Sequence, residues 1–177
     1  STAHALADQL LVIYKINATP ATPPVVASAT TLYAQQCSAC HGLQGYGDGP
    51  AAAVLTPKPI AFSDADRAAQ RSPLALYQVI SQGLSGTAMT NFSYLSEADR
   101  WALAFYVGGM AYGPEARTQG EALWRDDPQF REAVPSLEAL SRLSEADLAQ
   151  ATNAAQAKAI IAYLRARPDA VVELKPA

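Results

Sequence analysis

Cys37-Ser38-Ala39-Cys40-His41 decides how this chain is read. Thiols at i and i+3 lie on one face of a helical turn, and an imidazole follows at once. This is the spacing C-x-x-C-H, with which a protein fixes a porphyrin covalently. Each thiol adds across one vinyl group, giving two thioether bonds, and the histidine reaches the iron. The chain of 177 residues has no other cysteine. A zinc site needs about four nitrogen or sulfur ligands, and beyond these three residues only the distant His4 is at hand. A redox dithiol would need neither the adjacent His41 nor the glycine-rich stretch behind it. A disulfide here would close a strained, tight loop. The expected cofactor is one covalent haem c.

Immediately downstream runs Gly42-Leu43-Gln44-Gly45-Tyr46-Gly47-Asp48-Gly49-Pro50. Four glycines in eight residues cannot hold a helix. They let backbone approach a flat ring closely, so a loop that shields one haem edge and holds His41 is expected. Upstream, Ala29–Cys40 reads as one helix with Leu32 and Tyr33 facing inward. The second iron ligand has two candidates. Met89 lies 48 residues after His41, in the loop from Gly83 to Phe92. Met110 ends the helix Glu97–Gly108, whose Trp101, Leu103, Phe105 and Tyr106 read as core. A ligand must come out of a loop over the second haem face, which favours Met89. His4 reads as a surface histidine.

Pro57 and Pro59 punctuate the next stretch, and Ser63-Asp64-Ala65-Asp66 resembles a capping box. Ser72 caps a helix with Pro73 at its first position; Leu76, Tyr77, Val79 and Ile80 form its apolar face, and Gly83 ends it. Leu95-Ser96-Glu97-Ala98-Asp99 recurs letter for letter as Leu143-Ser144-Glu145-Ala146-Asp147. Leu32-Tyr33 is echoed by Leu123-Trp124. The second half is either a shortened copy of the first without cysteines, or a chance recurrence of common caps. Residues 115–167 are expected to be helical and 168–177 an extended tail. At the other end, Leu6, Leu10, Ile13 and Tyr14 recur at helical spacing, before a linker with three prolines between Asn17 and Pro24.

Half of the residues are apolar and the formal net charge is −3. No basic patch suggests nucleic acid. The four lysines are scattered, so no lysine collar for an acidic partner is visible. No apolar run approaches the ~18 residues of a membrane span. Ser1–Ile16 lacks the basic start, apolar stretch and cleavage site of a signal peptide. Bacteria attach haem covalently outside the cytoplasmic membrane, so a periplasmic or otherwise extracytoplasmic location is expected, with a tether to the inner membrane in a longer protein left open.

The motif, the Gly47-Asp48-Gly49-Pro50 turn, Gly86-Thr87-Ala88-Met89 and the helix bearing Tyr106 together resemble a class I monohaem cytochrome c over about Ser28–Tyr112. The resemblance implies His41 as proximal ligand, Met89 as distal ligand, and a hydrogen bond from the His41 imidazole to the carbonyl of Pro50. Ala29 stands where that family often has a helix-crossing glycine, and Thr90 where a proline usually follows the methionine. Gly47–Ala52, Lys58-Pro59-Ile60-Ala61-Phe62 and Asp99–Val107 are also similar to the cytochrome region preceding some bacterial high-affinity iron permeases. That likeness implies a redox appendage whose partner is a membrane permease. The permease itself is absent: Arg131-Glu132 lacks the second glutamate of an Arg-Glu-x-x-Glu iron motif.

The expected fold is all-α: a class I cytochrome c fold over residues 25–113, preceded by a helix and linker over 1–24 and followed by a haem-free helical extension over 114–177. The expected function is one-electron transfer, not enzymatic catalysis. With both axial positions filled there is no small organic substrate. The donor is a redox partner protein or Fe(II). The alternatives are an electron carrier or cytochrome subunit of a respiratory dehydrogenase chain, and a haem sensor or enzyme with an open iron site. Asp64/Asp66, Glu121 and Asp126-Asp127 are the oxygen-rich candidates for iron, each better read as a cap or a solvated surface.

Overall fold

The computed structural model describes residues 19–173, so the helix expected within 5–16, His4 and the last four residues of the tail lie outside it. Among the described residues the chain is all helical, with no strand.

The long first helix is broken. α1 spans Ala29–Gln36 and α2 Ser38–His41, and Cys37 between them opens to φ −120°. Cys37 still donates to the Tyr33 carbonyl at 2.9 Å, but its own carbonyl accepts from both Cys40 and His41, at 3.2 and 2.9 Å. The carbonyls of Cys40 and His41 then accept from Gly49 and Gly47 of the following loop. The cysteine turn is therefore held by the loop behind it rather than carried along by α1.

After a 3-10 turn over Pro50–Val54 come α3 (Ala65–Ala69), α4 (Pro73–Gln82) and α5 (Glu97–Gly108). Each starts where a side chain satisfies a free N–H: Asp64 accepts from Arg67, Ser72 from Ala75, and Ser96 from Asp99. The cap of α3 is thus Asp64, not Ser63. Trp101 to Phe105 are five consecutive buried residues, so α5 is covered on every side. It meets α1, α4 and also α10 from the second half. Ala29, where a glycine was the family expectation, is fully buried in α1.

The second half contains α6 (Pro114–Asp126), α7 (Pro128–Ala133), α8 (Leu137–Arg142), α9 (Glu145–Ala151), α10 (Ala154–Ala166) and α11 (Ala170–Glu173). Ser144 and Asp147 form a reciprocal capping box at α9. The two halves share an arrangement: the first helix packs against the last, α1 on α5 and α6 on α10. The expected extended tail is instead a turn and α11, because Ala170 and Val171 have a core to join. Both are buried, and Trp124 Nε1 donates to the Ala170 carbonyl at 3.4 Å. Buried residues run as one cluster from Ala29 to Val171, including Trp101, Phe105, Trp124, Phe130 and Leu164.

α6 and α10 touch backbone to backbone at Gly120, where a Cβ would overlap the Ala159 carbonyl and press on Tyr163. Overpacking of a tight contact typically costs about 1–3 kcal/mol. Gly120→Ala is expected to lower the denaturant midpoint by an amount in that range. A variant as stable as the parent would show that the two helices are free to move apart.

Candidate haem site

The site is built from one helical turn, one loop and one extended segment. At the start of α2 and within it, the Cys37 and Cys40 thiols are both free and half-buried, with His41 next in the chain. Burial, and then the neighbouring Cys40, pushes the Cys37 thiol up to about 11. A redox dithiol works through a depressed thiol pKa, so this pair is poorly suited to that role. Among the described residues no group of three His, Cys, Asp or Glu is placed to hold a bare metal ion, which leaves the zinc alternative without support.

His41 is oriented by the chain. Its Nδ1 sits 3.1 Å from the carbonyl oxygen of Ile60, and its ring stacks on Phe62 at 4.4 Å between centroids. An Nδ1–H donated to that carbonyl puts the lone pair on Nε2. Burial lowers the imidazole pKa, against a smaller raising effect of the Ile60 bond, so the neutral ring is the favoured form. Here the structure corrects the assignment of Pro50. That residue opens the exposed 3-10 turn after Gly49, and the partner of His41 is Ile60.

The loop glycines also admit a second stretch of backbone, and through it the loop helps hold His41. Gly47 has φ +73° and a Cβ there would press on the Pro59 carbonyl and the Ala61 nitrogen. Its bareness admits the segment Pro59–Ala61, which delivers Ile60 to His41. Gly45 accepts from Phe62 N at 2.6 Å, and a Cβ on Gly45 would lie 2.8 Å from the sulfur of Met110. Tyr33 closes the back of the site. Its buried hydroxyl donates to the Gly42 carbonyl at 2.7 Å, and its ring meets Phe62 and Tyr106 at 6.3 and 5.4 Å.

The two methionines are placed differently. Met110 packs beside Gly45 and Phe62, in the loop that follows His41. Met89 is half-buried in the loop between α4 and α5, its N–H donating to Thr87 Oγ1 at 3.1 Å and its carbonyl accepting from Leu84 at 3.1 Å. The oxygen-rich candidates are occupied structurally or solvated. Asp64 caps α3, Asp127 caps α7, and Asp126 pairs with Arg125 at 2.8 Å. Asp66 and Glu121 are exposed.

Residues 26–111 match the family model described as cytochrome c. That stretch, just under half of the chain, resembles a cytochrome c domain. No curated protein matches the chain significantly. Among solved structures, the chain is similar to a chain of the reducing HAO-like protein complex of Kuenenia stuttgartiensis, at 14% identity and a TM-score of 0.43, with 82% of this chain and 97% of that one covered.

A cytochrome c domain carries covalently bound haem c, and one C-x-x-C-H motif accounts for one haem. The residues fit that group. Two unpaired thiols stand one helical turn apart, and an imidazole whose neutral form is favoured is fixed through Nδ1. When bound, the haem supplies a one-electron iron couple. The chain's own part is to hold Cys37, Cys40 and His41 in one orientation.

Gly49 is the tightest point of this scaffold, because a Cβ there would overlap the backbone carbonyls of Ser38 and Ala39. Gly49→Ala is expected to push the loop off the cysteine turn and lower the yield of haem-stained protein several-fold. An unchanged yield and unchanged thermal midpoint would show that the loop does not hold the turn.

Proposed function

We propose that the chain is an electron-transfer protein. One haem c is attached through Cys37 and Cys40, with His41 and Met89 as axial ligands. The observation that carries this is the Nδ1 contact of His41 with Ile60, which leaves Nε2 free beside two unpaired thiols. Met89 is supported over Met110 because Met110 packs against the loop on the His41 side, by Gly45 and Phe62. With both axial positions filled, the centre exchanges electrons and binds no substrate. A His/Met pair raises the potential relative to two nitrogen ligands, so the domain suits accepting electrons from a redox partner protein. Bacteria attach haem covalently outside the cytoplasmic membrane, which supports an extracytoplasmic working compartment. No described helix is long and apolar enough to cross a membrane.

The purified protein is expected to retain its colour on acid-acetone extraction and to give one haem equivalent per chain in the pyridine haemochrome assay. Met89→Ala is expected to abolish the far-red charge-transfer band of thioether-bound ferric haem, and Met110→Ala to leave it intact. Haem leaving with the solvent would overturn the attachment, and the opposite methionine pattern would overturn the ligand.

The narrower reading is a redox module of an iron-uptake permease system. It is supported by the resemblance in Gly47–Ala52, Lys58–Phe62 and Asp99–Val107. Each of those segments also has a place in the haem site or its core: Gly47 admits Pro59, Ile60 and Phe62 hold His41, and Trp101 to Phe105 fill the centre. A carrier or subunit in a respiratory chain would use them equally. Anaerobic stopped-flow mixing of the ferric protein with Fe(II) and an Fe(III) chelator separates the two. Reduction on mixing is the outcome expected of the iron role, and haem that stays oxidised removes Fe(II) as donor.

A further inference from the structure

The second half of the chain, beyond the cytochrome c match, delivers one cation to the domain. Arg165, in the last turn of α10, is fully buried. Its guanidinium donates to the carbonyls of Gly108 at 2.8 Å and Ala68 at 3.4 Å, to the carbonyl of Arg71, and to the hydroxyl of Tyr112 at 3.4 Å. All of these acceptors are neutral. Among the described residues no carboxylate forms an ion pair with it. The nearest anionic group acts through a relay: the Tyr112 ring lies 5.5 Å from the guanidinium, and its hydroxyl donates to Glu145 Oε2 at 2.7 Å. Burial pulls the Arg165 pKa down, yet a guanidinium keeps its proton in a protein. A full positive charge therefore stands in the interior.

That charge borders the segment that orients His41. Arg165 lines a cavity of about 20 Å³ whose other walls include Ile60 and Phe62. These are the two residues that hold His41, one by its carbonyl and the other by stacking. Arg67 and Arg71 also border the cavity, but both are solvent-exposed, where water and salt weaken their influence. The Arg165 guanidinium is itself buried, so water and salt screen it less than they screen those two.

We propose that Arg165 is a positioning residue that raises the reduction potential of the haem on His41, and that Glu145 opposes it through Tyr112. The proposal rests on haem ligation by His41. Reduction adds one electron from the donor and lowers the charge of the centre by one unit. A fixed buried cation stabilises the reduced state relative to the oxidised one, and an anion does the reverse.

The test is a spectroelectrochemical titration of the holoprotein and of Arg165→Met, Arg165→Lys and Glu145→Gln, each at low and high ionic strength. Arg165→Met is expected to lower the ferrous-to-ferric ratio at a given ambient potential about tenfold, which is 59 mV for a one-electron couple. Arg165→Lys keeps the charge and is expected to keep most of the potential, even where it costs stability. Glu145→Gln is expected to shift the potential upward, and both shifts should persist in high salt. A merely structural role would not give shifts of opposite sign at the two positions. If Arg165→Met does not yield folded protein, the upward shift of Glu145→Gln and the retained potential of Arg165→Lys decide. Potentials equal to the parent in the Glu145 and folded Arg165 variants, or shifts of the same sign, would overturn the proposal. Loss of haem itself is read separately by the haemochrome assay on the parent, whose failure would strike the ligation and not this inference.

Discussion

The contact between His41 Nδ1 and the Ile60 carbonyl is the constraint around which the site is arranged. It chooses which nitrogen is free, and it does so with a backbone atom that has no protonation state of its own. To place that carbonyl, the chain must bring an extended segment against the glycine loop, which requires the bare Cα of Gly47. Phe62, two residues further on, then falls on the imidazole face, and its N–H is taken up by Gly45. Tyr33 reaches from α1 to the Gly42 carbonyl and closes the arrangement from behind. Each of these contacts is short and directional, so the imidazole is oriented before any iron arrives.

This arrangement also marks what a sequence can and cannot reveal. Caps were legible because Ser72-Pro73, Ser96 and Ser144 satisfy N–H groups with their own side chains, and the side chain is what a sequence records. The cysteine turn was legible for the same reason: the chemistry needs those side chains at that spacing. The partner of His41 was not, because a carbonyl is common to every residue, and the proline after the glycine turn drew the assignment to Pro50. The loop glycines were recognised as sites of close approach, but the approaching group is the chain itself at Pro59–Ala61. Arg165 was invisible for a different reason. Arginine is almost never fully buried, and at the end of an amphipathic helix it reads as solvated surface.

Its burial makes sense from the ends of two other helices. The last carbonyls of a helix have no partner within it, and the C-terminus carries partial negative charge that favours a cation. Gly108 is the final residue of α5, and Ala68 and Arg71 lie at and just beyond the end of α3. Arg165 reaches all three from α10. It works as a remote cap that reaches the carbonyls at both helix ends.

A cap supplied from another part of the chain couples the two parts. Removing a buried cation from its acceptors strands polar groups on both sides, and such losses are larger than the net worth of the contact itself. The apolar core adds to the coupling, because it is one cluster that crosses from α5 into α10 without a gap. The extension therefore shares one interior with the haem-site half rather than standing beside it. Mobility gained by α10 is transmitted to the ends of α3 and α5, and α3 follows directly on the segment that carries Ile60 and Phe62.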